Sequence, residues 1–195
     1  MKVSSSVAAA VAALFMFAVG SGNAIAAPAD RGADPVVLKG LDVPGMNGVA
    51  PARIVAFRYN GGWKQVPVQV DERKVVSVSS LYPGNPVPPY VIASSLTFDL
   101  EVYADAKTRT GADDDLALDA NDEIAFMGSD TGGFVADNSV VAPGGVVADG
   151  PSEAVTVTDP VGSGQGHLYL FKSDGSLKPG AGKSYVDYDF KLVNQ

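Results

Sequence analysis

Residues 113–122, with the sequence DDDLALDAND, carry acidic and amide side chains at short intervals directly before an apolar run at 124–127. Calcium takes several oxygen ligands from carboxylates, amides and backbone carbonyls, so this composition could build an irregular calcium site. The alternative is a solvated connection, because Asp and Asn side chains also cap tight turns by bonding nearby backbone. The pattern favours the turn and leaves the metal site open. Its ligands would be Asp113, Asp115, Asp119, Asn121 and Asp122.

The acidic stretch does not follow the calcium loop of EF-hand proteins, which requires glycine at position 6 and glutamate at position 12. Counting from Asp119 places Ile124 and Asp130 at those positions. A calcium site here would therefore need another loop geometry.

Catalytic side chains are sparse in this sequence. Asp99 and Glu101 would share one strand face roughly 7 Å apart, a separation compatible with a pair of glycosidase carboxylates. Outward acids on a strand are also the ordinary solubilising choice, which we prefer. His167 is the sole histidine, and the preceding GSGQG lacks the G-x-S-x-G nucleophile elbow. We expect an exposed histidine at the start of a strand, and we assign no catalytic residue.

Two aromatic side chains flank a predicted turn at Asn60-Gly61-Gly62 and form the second candidate site. Tyr59 and the sole tryptophan, Trp63, could stack against a sugar ring from the end of a sheet. Alternatively, Trp63 packs across the hairpin as a core or cross-strand residue. We favour packing and keep Trp63 and Tyr59 as candidate ligand contacts.

The elements that would position these residues are strands, since apolar and polar residues alternate with a period of two. In 95–105, Leu96, Phe98, Leu100 and Val102 are predicted to face inward. Such alternation is typical of half-buried antiparallel strands. The segments that carry strand patterns are 53–59, 64–72, 95–105, 123–127, 153–159, 167–171 and 185–193.

Turn chemistry connects the predicted strands. Asn60-Gly61-Gly62 and the loop 160–166 are predicted to close hairpins, since Asn and Gly tolerate the positive φ of tight turns. Pro67 cannot donate to a ladder, so its strand should lie at an edge or point that position outward. Four prolines in 82–89 predict an extended loop within one domain. The result is an all-β domain, an antiparallel β-sandwich or open barrel of about eight strands.

The N-terminus has the features of a cleaved signal peptide. Lys2 precedes an apolar run at 7–19, and the small-x-small sequence at 24–26 is what a signal peptidase recognises. The run is shorter than the roughly 20 residues that span a bilayer, which argues against an uncleaved anchor. We predict a signal peptide at 1–26, a single β-rich domain at 27–195 with no membrane span, and a secreted, extracellular or periplasmic protein.

The net charge and the cysteine content limit the classes of partner and of chemistry that the sequence allows. The net charge is −8, and the scattered Lys and Arg side chains offer no basic stripe for nucleic acid. The absence of cysteine excludes thiol catalysis, cysteine–zinc sites and iron–sulfur clusters. Such a surface suits cations or neutral partners such as carbohydrate, and a cell-envelope component is the expected target.

Two phrases, WKQVPVQVDER at 63–73 and LDANDEIAFM at 118–127, resemble segments of large secreted bacterial proteins of uncharacterised role. The resemblance implies a β-rich exported domain, one that could be the N-terminal part of a longer protein, and it supplies no site residues. The functional expectation is an exported non-catalytic binding or structural module. The alternatives are a domain of a secreted polysaccharide-degrading enzyme and a calcium-stabilised surface protein.

Overall fold

The computed structural model describes residues 33–78, 98–136 and 140–186. The predicted all-β class is confirmed: these ranges hold antiparallel strands and one-turn 3-10 helices, with no α-helix of seven or more residues. None of their helices is long and apolar enough to cross a membrane. The strands are β1 (Pro35–Lys39), β2 (Ile54–Tyr59), β3 (Trp63–Val66), β4 (Gln69–Asp71), β5 (Arg73–Ser77), β6 (Asp99–Tyr103), β7 (Glu123–Met127), β8 (Ser152–Thr158) and β9 (Gln165–Lys172).

The strands form three sheets in a sandwich-like arrangement. A four-stranded sheet has the order β3-β2-β9-β8, a three-stranded sheet has the order β1-β7-β4, and β5 pairs with β6 alone. One apolar core joins the larger two sheets, since Ile54 and Leu170 of the first and Ile124 of the second are each 0% exposed within it. The 3-10 turn Pro44–Met46 closes one side, with Met46 fully buried.

Both predicted hairpins are present. β2 and β3 pair from Tyr59 opposite Trp63 around Asn60-Gly61-Gly62, where Gly61 adopts a φ of 76°. This left-handed conformation is one that glycine adopts without steric cost. β8 and β9 pair from Thr158 opposite Gln165, so their connection is shorter than predicted and spans 159–164.

Pro67 marks the place where the chain leaves one sheet for the other. β3 ends at Val66 on the edge of the four-stranded sheet, and β4 begins at Gln69 on the edge of the three-stranded sheet. The predicted edge position is therefore confirmed. Val66 and Val68 on either side of the proline both face the core, at 3% and 4% exposed.

The prediction that Phe98 and Leu100 face inward is wrong. They are 50% and 41% exposed, because β6 pairs only with β5 and that small sheet leaves them outside the central core. Several other predictions fall outside the described residues: the signal peptide at 1–26, Leu96, the loop at 82–89 and most of 185–193.

Substituting one buried leucine and one exposed leucine tests the assignment of this core. Leu170→Ala removes a fully buried side chain between the sheets and is expected to lower the free energy of unfolding by about 2–5 kcal/mol. Leu41 is 68% exposed, and Leu41→Ala should change it by less than about 0.5 kcal/mol. Urea denaturation of both variants measures the difference, and equal effects would contradict the assigned core.

Candidate functional site

The aspartates of the acidic loop cap their own turns. A carboxylate oxygen of Asp113 accepts the N–H of Asp115 at 3.0 Å, and Asp115 accepts that of Ala117 at 3.0 Å. Asp119 accepts the N–H of Asn121 at 3.0 Å in the same way. Each bond reaches two residues along the chain, the geometry in which Asp stabilises a turn. The turn interpretation therefore describes how these three side chains are used.

Asp122 attaches this loop to the strand β5. It is 1% exposed, and its two carboxylate oxygens accept the backbone N–H groups of Arg73 at 2.7 Å and Asp119 at 2.9 Å. Asn121 adds a bond from its side-chain amide to the carbonyl of Arg73 at 3.2 Å. The loop also meets Gly40 closely, since a Cβ there would lie 1.7 Å from the carbonyl oxygen of Asp119. Asp122 and Asn121 thus have structural roles.

The sequence reasoning missed Glu72, which lies among these acids. Its Oε2 atom is buried without a hydrogen-bond partner in the described part of the chain. Burial first, and then the charges of nearby aspartates, raise the pKa of Glu72 to about 7. Those aspartates are four of the five predicted metal ligands: Asp113, Asp115, Asp119 and Asp122.

The predicted acids therefore lie around Glu72, whose carboxyl group loses its proton only at a higher pH than usual. Among the described residues, no group of three or more His, Cys, Asp or Glu side chains is arranged to hold a metal ion. The loop carboxylates bond backbone N–H groups instead. Calcium binding at this loop stays a prediction.

Glu101, the other acid of interest on β6, balances nearby cations. Its Oε2 lies 3.2 Å from Nζ of Lys39 and 3.6 Å from Nη2 of Arg73. Arg73 also pairs with Glu123 and lies 4.7 Å from the ring centroid of Tyr103. This network joins the small sheet to the three-stranded sheet, which gives Glu101 a stabilising role.

Trp63 and Tyr59 come together in a packed aromatic cluster. Among the described residues the Trp63 ring lies edge-on to four aromatic neighbours, with centroid distances of 5.1 Å to Tyr59, 5.1 Å to Tyr169, 5.6 Å to Phe171 and 6.3 Å to Phe57. Its indole N–H donates to the carbonyl of Val141 at 2.7 Å. Edge-to-face contacts of this kind stabilise packing, so the geometry favours the cross-strand interpretation over a free sugar platform.

His167 is half-buried and not at the start of its strand, contrary to expectation. Gly132 pairs with it across a bridge, and its ring centroid lies 5.3 Å from that of Phe134. Burial lowers the pKa of the imidazole. Its Nδ1 lies 3.2 Å from the hydroxyl oxygen of Thr156.

A polar cavity of about 250 Å³ opens between the β2–β3 hairpin, the turn Gly128–Asp130 and the segment 182–185. We refer to it as the Asp130 pocket, because Asp130 is only 6% exposed and lines it. Its polar lining comes from three cations, one acid, one amide and two hydroxyl groups: Arg58, Lys64, Lys183, Asp130, Gln65, Ser129 and Tyr185.

The carboxylate of Asp130 is half satisfied. Oδ1 accepts the hydroxyl of Tyr185 at 2.8 Å, whereas Oδ2 is buried and has no partner among the described residues. Burial, with the nearby carboxylate adding to it, raises the pKa of Tyr185, so its hydroxyl remains a donor at neutral pH. An unpaired buried acceptor costs about 1–3 kcal/mol, and a bound hydrogen-bond donor would recover that cost.

A second cavity of about 450 Å³ adjoins the Asp130 pocket, and we refer to it as the apolar groove. Pro35, Phe126 and Met127 of the three-stranded sheet line it. The two cavities are neighbours, because four residues line both of them: Pro67, Gly182, Lys183 and Tyr185.

No sequence signal marks the Asp130 pocket. Its residues come from three stretches, 58–67, 129–130 and 182–185, with no shared spacing. Sequence reasoning considered Asp130 only as a poor match to a calcium loop, and Tyr185 only as the first residue of a strand. Only the fold brings the two together.

The chain matches no protein-family model, and comparison with curated proteins and with solved structures finds no match either. The candidate sites therefore rest on this chain's own geometry.

The raised pKa of Glu72 predicts a pH-dependent stability. Between its ordinary value of 4.5 and about 7, the folded protein holds a proton that the unfolded chain releases, so the free energy of unfolding falls as pH rises. Glu72→Gln should remove this slope and raise stability at pH 8 by roughly 1 kcal/mol, a value discounted for solvent screening.

Urea denaturation at pH 5 and pH 8 checks this expectation. Asp114→Asn is the matched control, because it removes an exposed acid from the same loop that is not among the charges acting on Glu72. A slope that persists in Glu72→Gln would contradict the assignment.

Proposed function

We propose that this chain is an exported, non-catalytic β-domain that binds carbohydrate of the bacterial envelope or its surroundings. The observation that carries the proposal is Asp130, which lines a polar cavity and whose buried Oδ2 has no hydrogen-bond partner among the described residues. A pocket that places a few polar groups beside an apolar surface is typical of small-molecule sites. The Asp130 pocket and the apolar groove together have this character.

Carbohydrate fits this combination of groups. A sugar ring carries several hydroxyls that both donate and accept, and its C–H faces pack on apolar surface. The Asp130 carboxylate can accept from a sugar hydroxyl, while Arg58 and Lys64 supply donors to sugar oxygens. Export is supported by the apolar run at 7–19 and the small-x-small sequence at 24–26.

The enzyme alternative is a domain of a polysaccharide-degrading protein that uses Asp99 and Glu101. The ion pairs of Glu101 with Lys39 and Arg73 weigh against it, since they engage the carboxylate that would have to reach the glycosidic bond.

Binding to polysaccharides tests the proposal. The protein should sediment with insoluble envelope polysaccharide, or be retarded in native gels that contain a soluble one. Asp130→Asn replaces the charged acceptor of the pocket and should weaken retention at least about tenfold, the loss of one charge-assisted hydrogen bond.

Asp149→Asn is the matched control, because Asp149 is exposed and its φ of 53° is one that Asn tolerates. It should leave retention unchanged. The protein should also release no reducing sugar. Release that Glu101→Gln abolishes would establish the enzyme alternative, and failure to bind any polysaccharide would refute the proposal.

A calcium-stabilised module is the second candidate function. Burial, and then four aspartates of the acidic loop, raise the pKa of Glu72, and a divalent cation among these aspartates would relieve the repulsion that they add. The loop carboxylates that now cap turns would have to reorient toward the ion. Oxygen ligands on a loop suit calcium, which accepts irregular geometry.

Thermal melts in EDTA and in excess calcium test this candidate. Calcium at about a hundred times its dissociation constant should raise Tm by about 5–10 °C. Asp113→Asn should abolish the rise, whereas Asp114→Asn, the same change at the adjacent position, should keep it. An unchanged Tm in the unmodified protein would exclude calcium stabilisation.

A further inference from the structure

We infer that the Asp130 pocket takes an acidic sugar, such as a uronic acid, whose carboxylate lies among the pocket cations while a ring hydroxyl donates to the Asp130 carboxylate. The inference rests on the proposed carbohydrate function and adds the chemical class of the ligand. It depends on three features of the pocket: its cations, its acceptor and its size.

The first feature is the concentration of positive charge. Arg58, Lys64 and Lys183 all line this cavity, although the chain as a whole carries a net charge of −8. Arg58 uses one guanidinium nitrogen to bond the carbonyl of Ser129 at 3.2 Å. Its fork has five N–H donors, enough to bond a carboxylate as well. Three cations beside one acid leave a net positive site that attracts an anion.

The second feature is the acceptor. Asp130 is 6% exposed and lines the cavity, and a carboxylate can only accept hydrogen bonds. An anion without a donor, such as sulfate, would pair with the cations but give the Asp130 carboxylate no donor, and it would place a second negative charge beside it. A sugar acid carries both groups, with hydroxyls several bonds away from the carboxylate. The ligand must therefore combine an anion with a hydroxyl donor.

The third feature is size. About 250 Å³ lies just below the range of about 300–1,000 Å³ for drug-sized pockets. A volume of this size suits one sugar ring. The apolar groove adjoins the pocket through Pro67 and Gly182, so a longer chain could continue there. The pocket would then recognise one acidic residue of a polysaccharide.

Isothermal titration of the full chain with single sugars tests the inference. Galacturonate and glucuronate should bind, and their neutral counterparts galactose and glucose should bind at least about tenfold more weakly, because one charge-assisted contact is worth at least that factor. Binding of the acids should weaken as salt is raised, since their contacts with exposed lysines are screened.

Substitutions of pocket residues test whether galacturonate binds in the Asp130 pocket. Asp130→Asn and Lys64→Met should each weaken galacturonate binding about tenfold or more. Lys107→Met is the matched control, since Lys107 is exposed in the turn after β6 and not among the pocket residues, and it should bind as the unmodified protein does. Thermal melts of each variant verify folding, and if Asp130→Asn fails to fold, Lys64→Met and Lys183→Met carry the test.

The outcomes separate the two proposals. Uronate binding that both pocket variants weaken supports the inference. Equal binding of galactose and galacturonate overturns it but leaves the carbohydrate function standing. Phosphate that competes with galacturonate in the unmodified protein and binds Asp130→Asn equally well would overturn it, because the acceptor would then be irrelevant. Absence of binding at about 10 mM sugar, ten times a millimolar Kd, overturns it as well.

Discussion

The constraint on which the pocket region depends is Pro67, which lacks a backbone N–H and cannot continue the ladder of β3. The chain therefore crosses from the four-stranded to the three-stranded sheet at this residue while Val66 and Val68 keep their places in one core. The C-terminal segment covers the crossing. Val68 donates its N–H to the carbonyl of Pro179 at 3.0 Å, and a Cβ on Gly182 would lie 2.6 Å from Cδ of Pro67. Pro67 and Gly182 line both cavities, so the two cavities meet at this corner.

Hydrogen bonds and ion pairs of carboxylates hold the acidic loop against β5, β6 and β7. Asp122 joins the acidic loop to β5 through the N–H of Arg73, and the Arg73 side chain joins β5 to β6 and β7 through Glu101 and Glu123. Burial raises the pKa of Asp122, and its backbone hydrogen bonds, which favour the charged form, oppose part of that rise. Within the described residues the buried oxygen of Glu72 accepts no such bond. Burial, followed by the charges of the nearby aspartates, raises the pKa of Glu72 to about 7.

Local patterns predicted the parts of the fold that local chemistry determines. The strand pattern at 53–59, the glycine turn after it and the edge position of Pro67 all follow from residue type and spacing. The single strand predicted at 64–72 is instead two strands, which end at Val66 and begin again at Gln69. The exposure of Leu100 did not follow, because alternation identifies two faces of a strand without telling which faces find a partner sheet. The Asp130 pocket could not be predicted for a related reason: its groups come from three separate stretches that become neighbours only in the fold.

The structure holds two buried carboxyl oxygens without partners in the described residues, and their surroundings give them different chemistry. Glu72 lies among aspartates, and burial followed by their charges raises its pKa to about 7. Asp130 instead lines a cavity together with Arg58, Lys64 and Lys183. The same functional group therefore has like charges as neighbours at the acidic loop and opposite charges at the corner, and the sign of the neighbouring charges distinguishes the two environments.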